Sequence, residues 1–523
     1  MILLWLILLP LMGGALAWYA ERFDARLPAW IALAALLSCL GLLLPEVLAQ
    51  MSPSDPAAGL RYGLWLQDVA WEWIPRFNIQ LHLALDNISL LLVLLTLLMG
   101  LVALSSAWEE IVEHKGFFYF NFLWSLAGIL GVFLAMDMLL FFLFWEVMLV
   151  PMYFLIAIWG HENRRYAAIK FFLFTQAGGL LMLLSIIALV LVHYQQTALL
   201  SFDYQRLLAA PITSASARWI CLGFILAFLV KLPAFPFHSW LPDAHTQAPT
   251  PASVILAAVL LKTGGYGLLR FVLPLFPSAS HYFAPLMLTL AVIGIVYGAV
   301  MAFSQTDMKR LVAYSSVSHM GFVLLGCFSF NLLALQGVML QMLAHGVSTS
   351  ALFVLVGMLQ HRLHTRDLNK LGGLWQCLPR LSAMGLFFAI AALGMPGLGN
   401  FVAEFLVLLG GFEQHAGFSI LAASGLVLGA IYCLRMISQS FWGQLLLPRA
   451  AGALASTGPD SQTQLSGTLA AAAGTSAIPA DLNVREAMTL AMMALALLLL
   501  GLHPQPLLSE LNAVLSALLE AAS

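Results

Sequence analysis

The chain has 523 residues, of which 62% are apolar and only 9% charged, with 22 basic against 24 acidic side chains. A water-soluble domain carries about 25% charged residues, so this chain cannot clothe a soluble globule and most of it must face lipid. The near-zero net charge argues against a nucleic-acid binder.

The first stretch, "MILLWLILLPLMGGALAW", has no basic residues before its apolar run and no clear small-residue cleavage site. It reads as a first membrane helix rather than a removable signal. A spanning helix needs about 20 mainly apolar residues. Stretches of that kind lie near 2–18, 29–49, 81–106, 116–136, 138–159, 168–194, 218–239, 252–276, 283–303, 309–330, 333–360, 381–411, 416–443 and 486–503, fourteen in all. Pro504 to Ser523 completes the chain as a short amphipathic tail. The expected fold is an all-α polytopic membrane protein without strands. The segment 444–485, which holds "AAGALASTGPDSQTQLSGTLAAAAGTSAIPA", is small, polar and low in complexity, and is expected to be a flexible loop without a site. Cys39, Cys221, Cys327, Cys377 and Cys433 are scattered, with no CxxC pair. They read as small buried residues, not a disulfide framework or an iron–sulfur site.

Basic residues orient the spans. One set of loops holds Arg22, Arg26, Lys115, Arg164, Arg165, Lys170, Lys309, Arg310, Arg362, Arg366, Lys370, Arg380, Arg449 and Arg485, which is fourteen. The opposite set holds Arg61, Arg76, Arg206 and Arg218, which is four. Both termini are therefore expected on the periplasmic side or its equivalent.

Four charges fall inside spans: Glu146, Lys231, Lys262 and Glu404. An ionisable group at the bilayer centre costs at least about 2.5–3.5 kcal/mol on insertion scales, so each needs a reason. Complementary charges hold each other ionised, and Glu146 with Lys231 is a plausible pair. A static pair that only fixes helix packing is the plainer alternative. His319 and His345 add groups that gain and lose protons near neutral pH. Serines and a threonine beside both (Ser315, Ser316, Ser318; Ser348, Thr349, Ser350) make those faces wettable.

Pro233 and Pro236 break the seventh span just after Lys231, and "GMPGLGN" breaks the twelfth just before Glu404. Irregular backbone at membrane depth is tolerated where it lines a cavity or is shielded by protein. Spans four to eight and nine to thirteen then form two groups of five, each broken at its fourth member. Five is odd, so the groups insert with opposite orientation. Inverted repeats with matching broken helices point to a transport site. The expected organisation is 1–115 (three spans), 116–276 and 283–443 (the two repeats), 444–485 (loop) and 486–523 (last span and tail).

The stretches "LDNISLLLVLLT" (85–96), "FFLFWEVMLVPMYFLIAIWG" (141–160), "VKLPAFPFHSWLPDAHTQAPTPASVILAAVLLKTGGYGLLR" (230–270), "AFSQTDMKRLVAYSSVSHMGF" (302–322), "MLAHGVSTSALF" (342–353) and "LGMPGLGNFVAEF" (393–405) carry a resemblance. The chain resembles the antiporter-like membrane subunits of respiratory complex I, the NADH:quinone oxidoreductase. Among these it is closest to the M type, with Glu404 where the sister L and N types typically have lysine. The resemblance covers nearly the whole chain and departs only in the longer, Ala-rich 444–485 loop.

The resemblance implies proton translocation in a bacterial inner membrane, driven by quinone reduction in other subunits. Glu146 and Lys231 match an ion pair, and Lys262 a central relay. His319 and His345 match histidines between two half-channels, and Glu404 an exit-side acid. His238 falls in the entry half-channel and Asp137 at a contact with a neighbouring subunit. The implied partners are L- and N-type subunits and membrane lipid. FMN, iron–sulfur clusters and quinone are expected in partner subunits, with no cofactor in this chain. A cation/proton antiporter subunit is the nearest rival reading, and a passive spacer the blandest. Haem ligation by His319 and His345 fits poorly, because they are not arranged as facing pairs on two helices.

Overall fold

A computed structural model describes residues 1–51, 65–210, 212, 216–446 and 480–522. In chain order the helices are α1 (Ile2–Ala20), α2 (Leu27–Met51), α3 (Asn87–Glu110), α4 (Lys115–Leu134), α5 (Met138–Trp159), α6 (Arg164–Thr197), α7 (Tyr204–Ala209), α8 (Ser216–Lys231) and α9 (Trp240–Gln247). They continue as α10 (Thr250–Leu275), α11 (Pro277–Ser304), α12 (Met308–Cys327), α13 (Leu332–Leu363), α14 (Pro379–Ala392), α15 (Gly399–Ser440), α16 (Val484–Leu502) and α17 (Gln505–Ala522). Most of the 444–485 segment, with Arg61 and Arg449 of the charge count, lies outside the described residues.

Eleven of the described helices are long and apolar enough to cross a membrane. The difference from fourteen stretches is one of continuity. The seventh stretch, 218–239, is helical only as far as Lys231, the end of α8, and then breaks before α9, and the tenth is α12, whose serines and Lys309 dilute its hydropathy. The twelfth is α14 plus the first part of α15, and α15 continues into the thirteenth through a non-helical residue, His415. α10 is wholly buried, whereas α1, α2 and α16 keep much of their surface outward. The core therefore gathers around α10, flanked by α3 and α13. Small residues let helices meet there, since lipid gives no hydrophobic drive for helices to associate. A Cβ on Gly128 of α4 would sit 2.5 Å from the Met148 nitrogen of α5. The expected amphipathic tail is α17, whose Leu508, Leu511, Leu515, Leu518 and Ala522 form one buried stripe at helical spacing.

The expectation of no strands is corrected. Gln67–Ile74 (β1) and Ile79–Leu85 (β2) pair antiparallel, from Gln67↔Leu85 to Glu72↔Gln80. The turn, "PRFN", closes on Asn78 in the left-handed region at φ 52°. The strand alternation in "QDVAWEWI" is clear, with burial switching residue by residue over most of its length. The second strand runs directly into an apolar helix, so "LHLAL" merged with the third span and hid the switch of period. A lone two-stranded hairpin is marginal in water, so docking must hold it. Leu83, Ala84 and Leu85 are fully buried. His82 is clamped between Asp203 at 2.5 Å and Asp68 at 2.8 Å.

His82 predicts a pH effect. Burial alone would lower its pKa, but hydrogen bonds and charge from Asp203 and Asp68 win, and it is raised above the ordinary value. A group raised in the folded state gives its full stability below its unfolded pKa, about 6.5, and loses it as pH rises through the folded value. Hydrogen-exchange protection of 67–85, corrected for intrinsic rates, is expected to fall over that window. Asp203→Asn is expected to weaken docking by about 1–3 kcal/mol and to flatten the pH response. Unchanged protection in both cases would remove His82 from the docking.

Candidate functional site

The break after Lys231 is stabilised locally. Pro233 has no N–H to continue the ladder, and the Ala234 amide instead donates to the Leu229 carbonyl at 3.0 Å. The Trp240 indole donates to the Val230 carbonyl at 2.9 Å, so a freed acceptor is satisfied inside the membrane. Lys231 thereby becomes the last residue of α8, 1% exposed, its Nζ 5.0 Å from the Trp145 ring centroid and without a hydrogen-bond partner. Glu146 on α5 lies within Coulomb range, but the two do not form a direct salt bridge. Its Oε1 packs against the bare backbone of α6, where a Cβ on Gly179 would lie 2.5 Å away, and Gln176 faces the carboxylate. The expected pair is therefore an open one: the two groups lie within Coulomb range and do not hydrogen-bond to each other.

Lys262 lies on α10 between two wide π-helical turns, Leu256–Leu260 and Leu268–Val272. Such turns often mark functional sites. Its ammonium donates to the Ala257 carbonyl and to His345 Nδ1, the latter at 2.9 Å. Gly264, two residues on, faces α8 closely enough that a Cβ would sit 2.7 Å from the Leu232 nitrogen. Two residues turn a helix by about 200°, so Lys262 points away from α8 and toward α13.

From Lys262 the site runs across four helices. His345 of α13 has its ring centroid 5.4 Å from that of His319 on α12. His319 Nδ1 lies 2.7 Å from Glu404 Oε1 on α15, and the Tyr432 hydroxyl lies 3.2 Å from His319 Nε2. Gln341 donates to the same Glu404 oxygen at 3.0 Å. Glu404 sits just past the second break, where Gly394 and Gly397 take φ of 81° and 94° around Pro396. Lys231 thus precedes its break, whereas Glu404 follows its own. Lys262, His345, His319 and Glu404 are each buried, at 0%, 0%, 5% and 2% exposure.

The remaining predicted residues stand apart. His238 lies inside the first break, its ring 5.0 Å from Tyr297 and its Nδ1 unpartnered. Asp137 caps α5 through the Leu139 and Leu140 amides and accepts the Gln80 amide of the hairpin. Burial pushes its carboxyl up to about 6 against those three donors. The serines beside His319 are already engaged: Ser315 and Ser316 donate to Val312, and Ser318 to Ile295.

Sequence reading missed Gln341, Tyr432 and His245. His245 is fully buried, stacked on Phe353 at 4.5 Å, with both ring nitrogens unpartnered. Its signal was a second histidine seven residues after His238 in one proline-bounded segment. Lys309, counted among loop charges, is 1% exposed and donates to the Ala248 carbonyl at 2.5 Å.

The fold and the site define a polytopic helical membrane protein in which a buried Lys–His pair lies beside a buried His–Glu pair. The comparisons place it further. Residues 135–429 match the family described as NADH:quinone oxidoreductase/Mrp antiporter, TM. The chain is 48% identical over 513 residues to the NADH-quinone oxidoreductase subunit M of Escherichia coli, covering 97% of this chain and 96% of that one. It is also 48% identical over 514 residues to the subunit of the same name from Pseudomonas aeruginosa, covering 97% and 95%. A chain of respiratory complex I from Thermus thermophilus superimposes with a TM-score of 0.83 at 30% identity, covering all of both chains. A chain of the Mrp complex from a Dietzia species shares the fold, with a TM-score of 0.79 at 22% identity. The chain belongs to the NADH:quinone oxidoreductase/Mrp antiporter membrane family.

Proposed function

We propose that this chain is an M-type, proton-translocating membrane subunit of an NADH:quinone oxidoreductase, and that protons cross it along Lys262, His345, His319 and Glu404. The single observation that carries the reading is this line of four buried titratable groups, each supplied by a different helix and bonded pairwise at 2.9 Å and 2.7 Å. The relatives named above supply the parent complex.

Glu146 and Lys231 form the switch. Moving a carboxylate toward or away from an ammonium changes how firmly the ammonium holds its proton. At 4 Å and an effective dielectric constant of about 20, such a pair is worth about 4 kcal/mol. Carrying one charge across 100 mV takes about 2.3 kcal/mol. A modest change in the open Glu146–Lys231 separation therefore has the right size to gate one proton. No described side chain hydrogen-bonds to both Lys231 and Lys262, so the signal between them passes through α8–α10 packing or water. The two broken helices serve as the fourth members of two inverted five-helix units, 116–276 and 283–443. The face with most of the arginines and lysines is the inner one, and quinone, flavin and iron–sulfur chemistry belongs to partner subunits.

Glu146→Gln tests the reading in inverted membrane vesicles fed NADH, with assembly of the complex confirmed first. The expected result is loss of the pH gradient together with most quinone reduction. Full turnover with a full gradient would make Glu146 a packing residue and leave Lys231 in need of another explanation.

A further inference from the structure

We infer that a cavity beside the ends of α3, α13 and α16, with charged side chains in its wall, is a water-filled inlet to Lys262, with Glu110 as proton acceptor at its wall and Lys309 and His245 as inner carriers. The inference rests on the proton-moving reading above, and adds a route that enters without passing Lys231. The cavity has a volume of about 220 Å³ and is lined in part by Glu109, Glu110, His161, Thr250, Arg362 and Glu486. That space is large enough for several waters, and the carboxylates and guanidinium groups in its wall would give them partners.

The acids of the wall are not equivalent. Glu109 is bridged by Arg485 at 2.8 Å, and Glu486 by Arg362 at 2.6 Å. Glu110 accepts the Thr250 amide at 2.9 Å, and among the described residues no cation bridges it. Thr250 opens α10, and two residues earlier the Ala248 carbonyl holds the buried Lys309 ammonium. Glu110 and His161 both lie close enough to Lys309 to feel its charge.

One turn before Ala248 stands His245, close enough to both Lys309 and Lys262 to feel the charge of each. A buried polar atom without a partner needs an explanation, and here two sit on one ring. A ring that exchanges protons with lysines on either side gives one. Each hop moves one proton from a carboxyl, ammonium or imidazolium to the lone pair of the next group. No other bond changes, and a proton from the aqueous phase, relayed by cavity water, refills the outer donor. The hops reach Lys262 from the side turned away from α8.

The test plugs the cavity after assembly. Ser106 lines it, and its hydroxyl donates only to the Val102 carbonyl of its own helix. Inverted vesicles carrying Ser106→Cys are treated with the small anionic reagent methanethiosulfonate ethylsulfonate, with treated wild type as control for the chain's own five cysteines. Gradient and quinone reduction are read before and after, and modification is confirmed by mass. The expected result is normal activity before treatment and a several-fold loss of both after it. Glu110→Gln is expected to reproduce the loss, and Glu109→Gln to leave activity near wild type. Full pumping by the modified variant, or failure of the reagent to enter, overturns the inlet. Lys262→Arg is run in parallel. If it stops pumping while the plugged variant pumps fully, only the inlet falls; if neither has an effect, the proton-moving reading itself falls.

Discussion

Lys262→Arg is expected to lower both the NADH-driven gradient and quinone reduction by about tenfold or more, the scale set by losing one positioned proton-transfer group. The argument separates charge from proton release. Arginine keeps the cation and its donors, so it can still bond to the Ala257 carbonyl and to His345 Nδ1. It cannot be deprotonated in a protein, so it can accept no proton and pass none on. If Lys262 were a static strut, arginine would be the milder replacement and methionine the harsher one. Methionine fits the volume but leaves the carbonyl and the imidazole nitrogen without their donor, at about 1–3 kcal/mol for each unsatisfied group. A proton carrier predicts that both fail alike. Overpacking by the larger guanidinium at this fully buried position costs about 1–3 kcal/mol, so assembled complex is quantified on native gels before activity is normalised. Normal pumping by assembled Lys262→Arg would remove Lys262 from the path.

The charges were legible because hydrocarbon makes them conspicuous. Glu146, Lys231, Lys262 and Glu404 each interrupt an apolar run, and no soluble reading explains four of them. The breaks were legible because proline and glycine act locally, so Pro233, Pro236 and "GMPGLGN" marked both discontinuities to within a turn. Contacts between helices were not legible. Whether Glu146 touches Lys231 depends on how α5, α6 and α8 pack, and that depends on Gly179, one glycine among 40. The direction of Lys262 depends on how α10 is turned against α8, which leaves no mark in hydrophobic periodicity because α10 is buried all round. His245 and Lys309 were hidden for opposite reasons. The first lies in a short segment too irregular to place. The second begins a helix in a cluster, "DMKR", that reads as an ordinary basic loop. The hairpin was hidden because its second strand runs straight into a membrane helix, with only the N-cap Asp86 and Asn87 between two apolar runs.

The geometry also divides the site into two parts with different mechanics. Lys231 and Glu146 stand without a direct bond, and Lys231 ends a broken helix, where a small backbone shift would change their separation. Lys262 is hydrogen-bonded to His345, and His319 to Glu404, at 2.9 Å and 2.7 Å. In the proposed function, an unbonded switch beside a hydrogen-bonded wire would let a conformational signal set the timing while the path keeps its order.

Glu404→Gln tests the far end of that wire. Glutamine has nearly the same shape, so its amide can still meet His319 Nδ1 and Gln341 at the positions that now lie 2.7 Å and 3.0 Å from Oε1. It loses the negative charge and the ability to take up and release a proton. The expected result is an assembled complex whose gradient falls by about tenfold or more, with quinone reduction falling alongside because the two are coupled. Glu404→Ala goes further, since it leaves the His319 and Gln341 donors facing a void. If His319 carries a proton opposite Glu404, breaking that buried pair costs about 3–5 kcal/mol and assembly itself should drop. Glu404→Asp keeps the carboxylate but draws it back by one methylene, so partial pumping is expected from it alone. That order, Asp above Gln in pumping and Gln above Ala in assembly, is what a proton-releasing acid requires. A structural acid would give one order for both readouts, and Gln pumping as well as wild type would place the exit elsewhere.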